Sequence, residues 1–161
     1  MALPFFNAYR GSIGRFFQGD PTLRGYWQFN GNSLDNSGNG NNGTDFNVLH
    51  NQKGFRDGIV GAFFNGSTSY VWIGDPPALS PPRPLSLILW FKTSATSWPA
   101  YGSSIMRKRL GGWDLMIGNN GTPRIFWSFW NGSSSIGVTS RPIYNDNRWH
   151  CVFGIIGTNY V

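Results

Sequence analysis

The chain contains no glutamate; all seven acids are aspartates: Asp20, Asp35, Asp45, Asp57, Asp75, Asp114 and Asp146. Glu is among the residues that helix interiors favour, so its absence argues against a helical fold. A lone cysteine, Cys151, excludes an intrachain disulfide framework. Two histidines and that cysteine are too few for a protein-only zinc site. Charged residues make up only 12% of the 161. No apolar run approaches the ~20 residues of a membrane-spanning helix. The opening Met1-Ala2-Leu3-Pro4-Phe5-Phe6 lacks the basic start and long apolar run of a secretory leader, so synthesis without export is expected.

What the chain has in plenty is turn-formers and rings. Its 22 Gly and 10 Pro leave little room for long helices, and 17% of its residues are aromatic. That composition describes many short strands joined by tight turns, in one domain large enough to bury a core. The net charge of +6 comes mostly from arginines spread thinly, with one concentration at Arg107-Lys108-Arg109. A basic, aromatic protein can meet nucleic acid or an anionic glycan. A solvated strand end is the simpler reading of three adjacent charges.

Residues 1–24 stand apart. Phe5, Phe6, Tyr9, Ile13, Phe16 and Phe17 follow a near-helical stripe that Gly11 and Gly14 weaken. Two readings stand: an arm packed on its own domain, or a docking arm for another subunit. From residue 25 strand signals recur at Tyr26–Phe29, Ala62–Phe64, Tyr70–Ile73, Leu85–Lys92, Ile105–Arg107, Trp113–Ile117, Arg124–Trp130 and Trp149–Ile156. Asn119-Asn120-Gly121 is a strong hairpin signal. The proline-rich stretch 76–84 reads as a connecting loop, because proline cannot serve an interior ladder. In the last strand, alternation sets Trp149, Cys151, Phe153 and Ile155 on one face and His150 and Val152 on the other.

Between the first two of these strands lies a long Asn/Gly/Ser segment, Asn30 to Thr44, holding the carboxylate of Asp35. Asn, Asp and Gly tolerate left-handed backbone and bond to nearby main chain, so the segment reads as a loop folded on itself. Four segments in order then resemble the laminin-G-like branch of the concanavalin A-like lectins. They are Tyr26-Trp27-Gln28-Phe29-Asn30-Gly31 with its following loop, Gly61 to Val71, Leu85 to Thr93, and Asn147-Arg148-Trp149-His150. Gly112-Trp113-Asp114-Leu115 sits where that family has a Gly-Gly-aromatic strand. The resemblance implies an all-β, two-sheet antiparallel jelly-roll sandwich over residues 25–161, behind the arm. The family continues beyond Trp-His through further strands. Either the sequence stops short of them, or neighbouring chains cover the open strand edge.

Gly38-Asn39-Gly40-Asn41-Asn42-Gly43 matches the dinucleotide fingerprint in letters, but Thr44-Asp45-Phe46 does not open the helix it requires. Glycoside hydrolysis needs paired carboxyls. The resembled family's enzymes carry theirs on a Glu-x-Asp-x-Glu strand, which this chain lacks. His150 and Cys151 are neighbours in a strand and point apart, so they form no dyad. An enzyme is therefore not expected. Calcium is a candidate at the Asn/Gly loop, with Asp35, Asn36 and Asn39 as oxygen donors; the resemblance points to the same loop. The competing reading is a loop whose side chains satisfy its own backbone. Asn42, Asn65, Asn120 and Asn131 each open an Asn-Gly-Ser/Thr glycosylation triplet that is equally a turn, and turns are the reading adopted.

Trp27, Trp90 and Trp149 read as core. Trp98, Tyr101, Trp113 and Trp130 lie near strand ends, where rings stack on the apolar faces of sugars or bury against a partner. The expectation is a noncatalytic module of an extracellular assembly. A phage virion protein, made in the cytosol and released by lysis, fits the absent leader; capsid decoration or a tail role would serve surface glycan recognition or particle assembly. Its partners would be other subunits or a second copy, met through residues 1–24 and the open edge, and cell-surface glycans. A free-standing lectin-like module is the alternative. Nucleic acid is disfavoured.

Overall fold

A computed structural model describes residues 20–80, 84–108, 112–130 and 132–157. Most of the expected arm, residues 1–19, lies outside the described residues, as does Asn131. The described chain is all-β with antiparallel ladders: ten strands and a single 3-10 turn. Contacts divide it into two units, Met1–Leu79 with Leu89–Phe91, and Ser80–Ile88 with Lys92–Val161.

In the first unit β1 (Thr44–Phe46) pairs with β4 (Tyr70–Trp72), and β2 (Leu49–Lys53) with β3 (Val60–Phe63). Tyr26, Trp27, Ala62, Phe64, Leu79, Leu89 and Phe91 form its core. The strand expected at Tyr26–Phe29 is absent; only an isolated bridge joins Trp27 to Asp35. The reason is competition for the backbone. The Tyr26 N–H donates to the Asp35 carboxylate at 2.9 Å instead of to a ladder, and Phe29 turns left-handed at φ 53. Strands β1 and β2 were not legible, and the proline-rich stretch holds the 3-10 turn Pro77–Leu79.

In the second unit β6 (Tyr101–Arg107), β7 (Trp113–Asn119), β8 (Ile125–Trp130) and β9 (Ser135–Thr139) form one antiparallel sheet in that order. The expected hairpin joins β7 to β8: Asn120 and Gly121 both take positive φ, 56 and 72, as a type I′ turn requires. Thr122 N–H closes that turn on the Asn119 carbonyl. Strand β10 (His150–Ile156) pairs with β5 (Leu85–Phe91), whose residues 85–88 belong to this unit.

Alternation decides what each strand buries. Trp113, Leu115 and Ile117 of β7 and Ile125, Trp127 and Phe129 of β8 are buried, as are Val152, Gly154 and Ile156 of β10. A Cβ on Gly154 would stand 2.9 Å from Cδ2 of the Trp127 ring, so the β10 backbone lies directly on that indole. The two layers of this unit therefore meet face to face there, in the manner of a sandwich. The other face of β10 is open, with Phe153 65% and Ile155 67% exposed.

Candidate functional site

On β7 the residues between the buried ones, Asp114 and Met116, point to the opposite face of the sheet. Register sets Ser128 of β8 against Asp114, and Trp130 against Ser135 of β9. On the other flank Ser104 and Arg107 of β6 are three residues apart, which in a regular strand would put them on opposite faces. The register shift between Ser104 and Met106 corrects this: Ser104 pairs with Met116 and Arg107 with Asp114. A bulge re-aims side chains in this way, and here it turns both toward Asp114.

The result is an open groove of about 260 Å³, lined among others by Arg107, Asp114, Met116, Ser128, Trp130 and Ser135. Lys108, Trp113 and Phe129 also reach it. Asp114 sits at its centre. Ser104 Oγ donates to its Oδ2 at 3.0 Å, while Oδ1 is buried with no hydrogen-bond partner among the described residues. Burial pushes the carboxyl up to about 6; the Ser104 hydrogen bond and the Arg107 charge pull the other way and only partly offset it. A half-buried carboxyl with a raised pKa and one unpartnered oxygen in a concave surface marks a candidate binding site.

The four aromatics expected as contacts do not converge. Trp130 is 47% exposed at the groove, and Trp113 also lines it but is only 8% exposed, so its ring belongs to the core. Tyr101 pairs with Asn119 at the other end of the sheet, where Trp98 lies against Gly118. Strands of this length separate the two ends by roughly 20 Å. Tyr101 is 85% exposed, and the indole N–H of Trp98 is buried without a partner. The sequence reading missed Asp114, Ser104, Ser128 and Ser135. The alternation Trp113-Asp114-Leu115-Met116-Ile117 did signal a polar face, but the bulge that populates it left no mark.

The Asn/Gly loop is folded on itself. Asp35 Oδ1 accepts from the N–H groups of Tyr26 and Ser37, and Oδ2 from Ser37 Oγ and the Asn41 N–H, all at 2.8–3.0 Å. A carboxylate has about four lone-pair positions, so none is left for a cation in this arrangement. Asn36 Nδ2 donates to the Leu34 carbonyl, and Asn39 Nδ2 to the Leu23 carbonyl and Ser37 Oγ. Among the described residues no group of three or more His, Cys, Asp or Glu gathers as a metal site. The fingerprint-like glycines lead into strand β1 and not a helix.

Two histidine pairs lie elsewhere. His50 Nε2 meets Asp45 Oδ2 at 2.8 Å, and Ser33 Oγ donates to Asp45 Oδ1, which places the carboxylate and not the imidazole in the middle of the three. That order cannot deprotonate the serine through histidine. His150 Nε2 meets Asp146 Oδ1 at 2.8 Å, and that hydrogen bond holds the Asp146 carboxyl below its ordinary range. Cys151 is half-buried, and burial raises its thiol. No family model matches the chain, and neither a curated protein nor a solved structure does.

Proposed function

We propose that the chain is a noncatalytic recognition module of an extracellular or particle surface, a laminin-G-like, concanavalin A-like jelly roll that holds a sugar in the Asp114 groove. One observation carries this reading: a buried carboxylate oxygen without a partner shares an open groove with the half-exposed ring of Trp130. Sugars present hydroxyl donors at the ring edge and an apolar C–H face. Asp114 accepts the first and the Trp130 indole covers the second. Ser128 and Ser135 add hydroxyls to the lining. Among the described residues, Asp114 is the one acid in the lining.

Retention of the purified chain on a glycan array tests this reading. Trp130→Ala and Asp114→Ala should each abolish retention while leaving the thermal melt cooperative. A wild-type chain that binds no glycan, or variants that bind as it does, would refute it.

A particle-assembly role is the second reading. Phe153 and Ile155 place two large apolar side chains on the open face of β10, and β9 ends its sheet without a further strand among the described residues. Such a face and edge suit another subunit or a second copy. Light scattering decides it: a multimer that Phe153→Asp dissociates supports assembly, and a monomer at all concentrations excludes it.

A further inference from the structure

Arg107 and Asp114 are register partners across β6 and β7, on one face of the sheet, yet they do not form an ion pair. The Arg107 side chain is exposed at the groove, and Asp114 Oδ1 is buried and unpartnered. Opposite charges on adjacent strands, about 5 Å apart along the hydrogen-bonding direction, ordinarily neutralise one another. Here they stay apart, and the groove offers a fork of donors next to a bare acceptor.

We infer that the groove selects a sugar bearing a carboxylate, a uronic-acid class of ligand, with Arg107 holding the carboxylate and Asp114 accepting from the hydroxyls beside it. This rests on the recognition reading above and goes further by naming the charge of the ligand. Arg107 and the ligand carboxylate match as two parallel N–H···O bonds, which a neutral sugar cannot supply. Lys108 adds a second positive charge to the lining, and Asp114 is its one acid among the described residues. The balance there is positive, in line with the chain's net +6, and draws in an anion. The volume, about 260 Å³, lies just under the ~300–1,000 Å³ of pockets that enclose drug-sized ligands. It suits one acidic ring with its neighbours left outside the groove.

The ligand's polar groups then have distinct partners. Its carboxylate faces Arg107, its adjacent hydroxyls face Asp114 and Ser128, and its apolar face lies against Trp130. No bond is made or broken.

The test is an array of galacturonate, glucuronate and mannuronate oligosaccharides printed beside their carboxyl-reduced counterparts. Arg107→Gln and Arg107→Lys are run against the wild type. Charge-assisted hydrogen bonds predict that the acidic member of at least one pair binds about tenfold or more tightly than its reduced partner. Arg107→Gln should erase that preference, and Arg107→Lys should keep part of it. Equal affinity for acidic and reduced sugars, or a preference that survives Arg107→Gln, would overturn the inference and leave sugar recognition standing. Retention of neither member of any pair, nor of any other glycan, would overturn both.

Discussion

Asp114→Asn isolates the cost of holding a carboxylate in the groove. Asp114 titrates at about 6, against an ordinary 3.8, because burial disfavours its charged form. The native state therefore binds a proton more tightly than the unfolded chain does. Stability is greatest below the unfolded value and is lost as pH rises from about 4 through 6. Taken at full weight the difference corresponds to about 3 kcal/mol at neutral pH. Solvent reaches part of the side chain, and screening reduces that to about 1–2 kcal/mol. Asparagine keeps the shape and an oxygen for the Ser104 hydroxyl but carries no charge to desolvate.

The variant should then melt about 2–8 °C above the wild type at pH 7.5, taking 2–4 °C per kcal/mol. The gap should narrow through pH 6 and close near pH 4. Thermal unfolding followed by far-UV circular dichroism from pH 4 to 8 measures it. The readout is the difference between the two proteins and not the wild-type curve alone. Parallel curves at all pH values, or a variant less stable at pH 7.5, would refute a desolvated Asp114.

Four further outcomes follow from the packing and the loop. Gly154→Ala brings a Cβ within 2.9 Å of the Trp127 ring and should cost about 1–3 kcal/mol in urea unfolding, as overpacking does; a cost near zero would mean that the two layers are not in contact there. Gly118→Ala should cost more, since the position has φ +82 and its Cβ would overlap Trp98; a variant as stable as wild type would contradict that placement of Trp98. Asp35→Ala removes the acceptor of four hydrogen bonds, two of them from the buried residues Tyr26 and Asn41, and should destabilise by about 2–4 kcal/mol. Because those donors fill the carboxylate, neither calcium nor EDTA should move the wild-type melting temperature; a rise on adding calcium would show a cation site there.

Where apolar residues alternate or run together, the strands were legible. Leu85–Phe91, Trp113–Asn119, Ile125–Trp130 and His150–Ile156 all lie at or close to the positions that sequence indicates. β1, β2 and β9 were not, and the cause is visible in Leu49-His50-Asn51-Gln52-Lys53 and Ser135-Ile136-Gly137-Val138-Thr139. These are mostly exposed or polar strands with no buried face to impose a period. Tyr26–Phe29 failed in the opposite sense: Tyr26 and Trp27 are core, but Asp35 takes the backbone N–H a ladder would use. The loop's self-contained character was readable because Asn, Asp and Gly act locally.

The groove was only half readable. Trp130 announced itself, but Asp114 and Arg107 come together through a one-residue bulge at Ile105, a property of pairing and not of local sequence. Trp98, Tyr101, Trp113 and Trp130 could not be sorted into ends of the sheet without register.

The most direct test of the Asp114 groove is a map of backbone amide shifts on titrating the chain with the glycan that binds best. Shifts concentrated at Arg107, Asp114, Ser128, Trp130 and Ser135 are the predicted result. Shifts clustered at Trp98 and Tyr101, or at the Asp35 loop, with the groove unmoved, would contradict it.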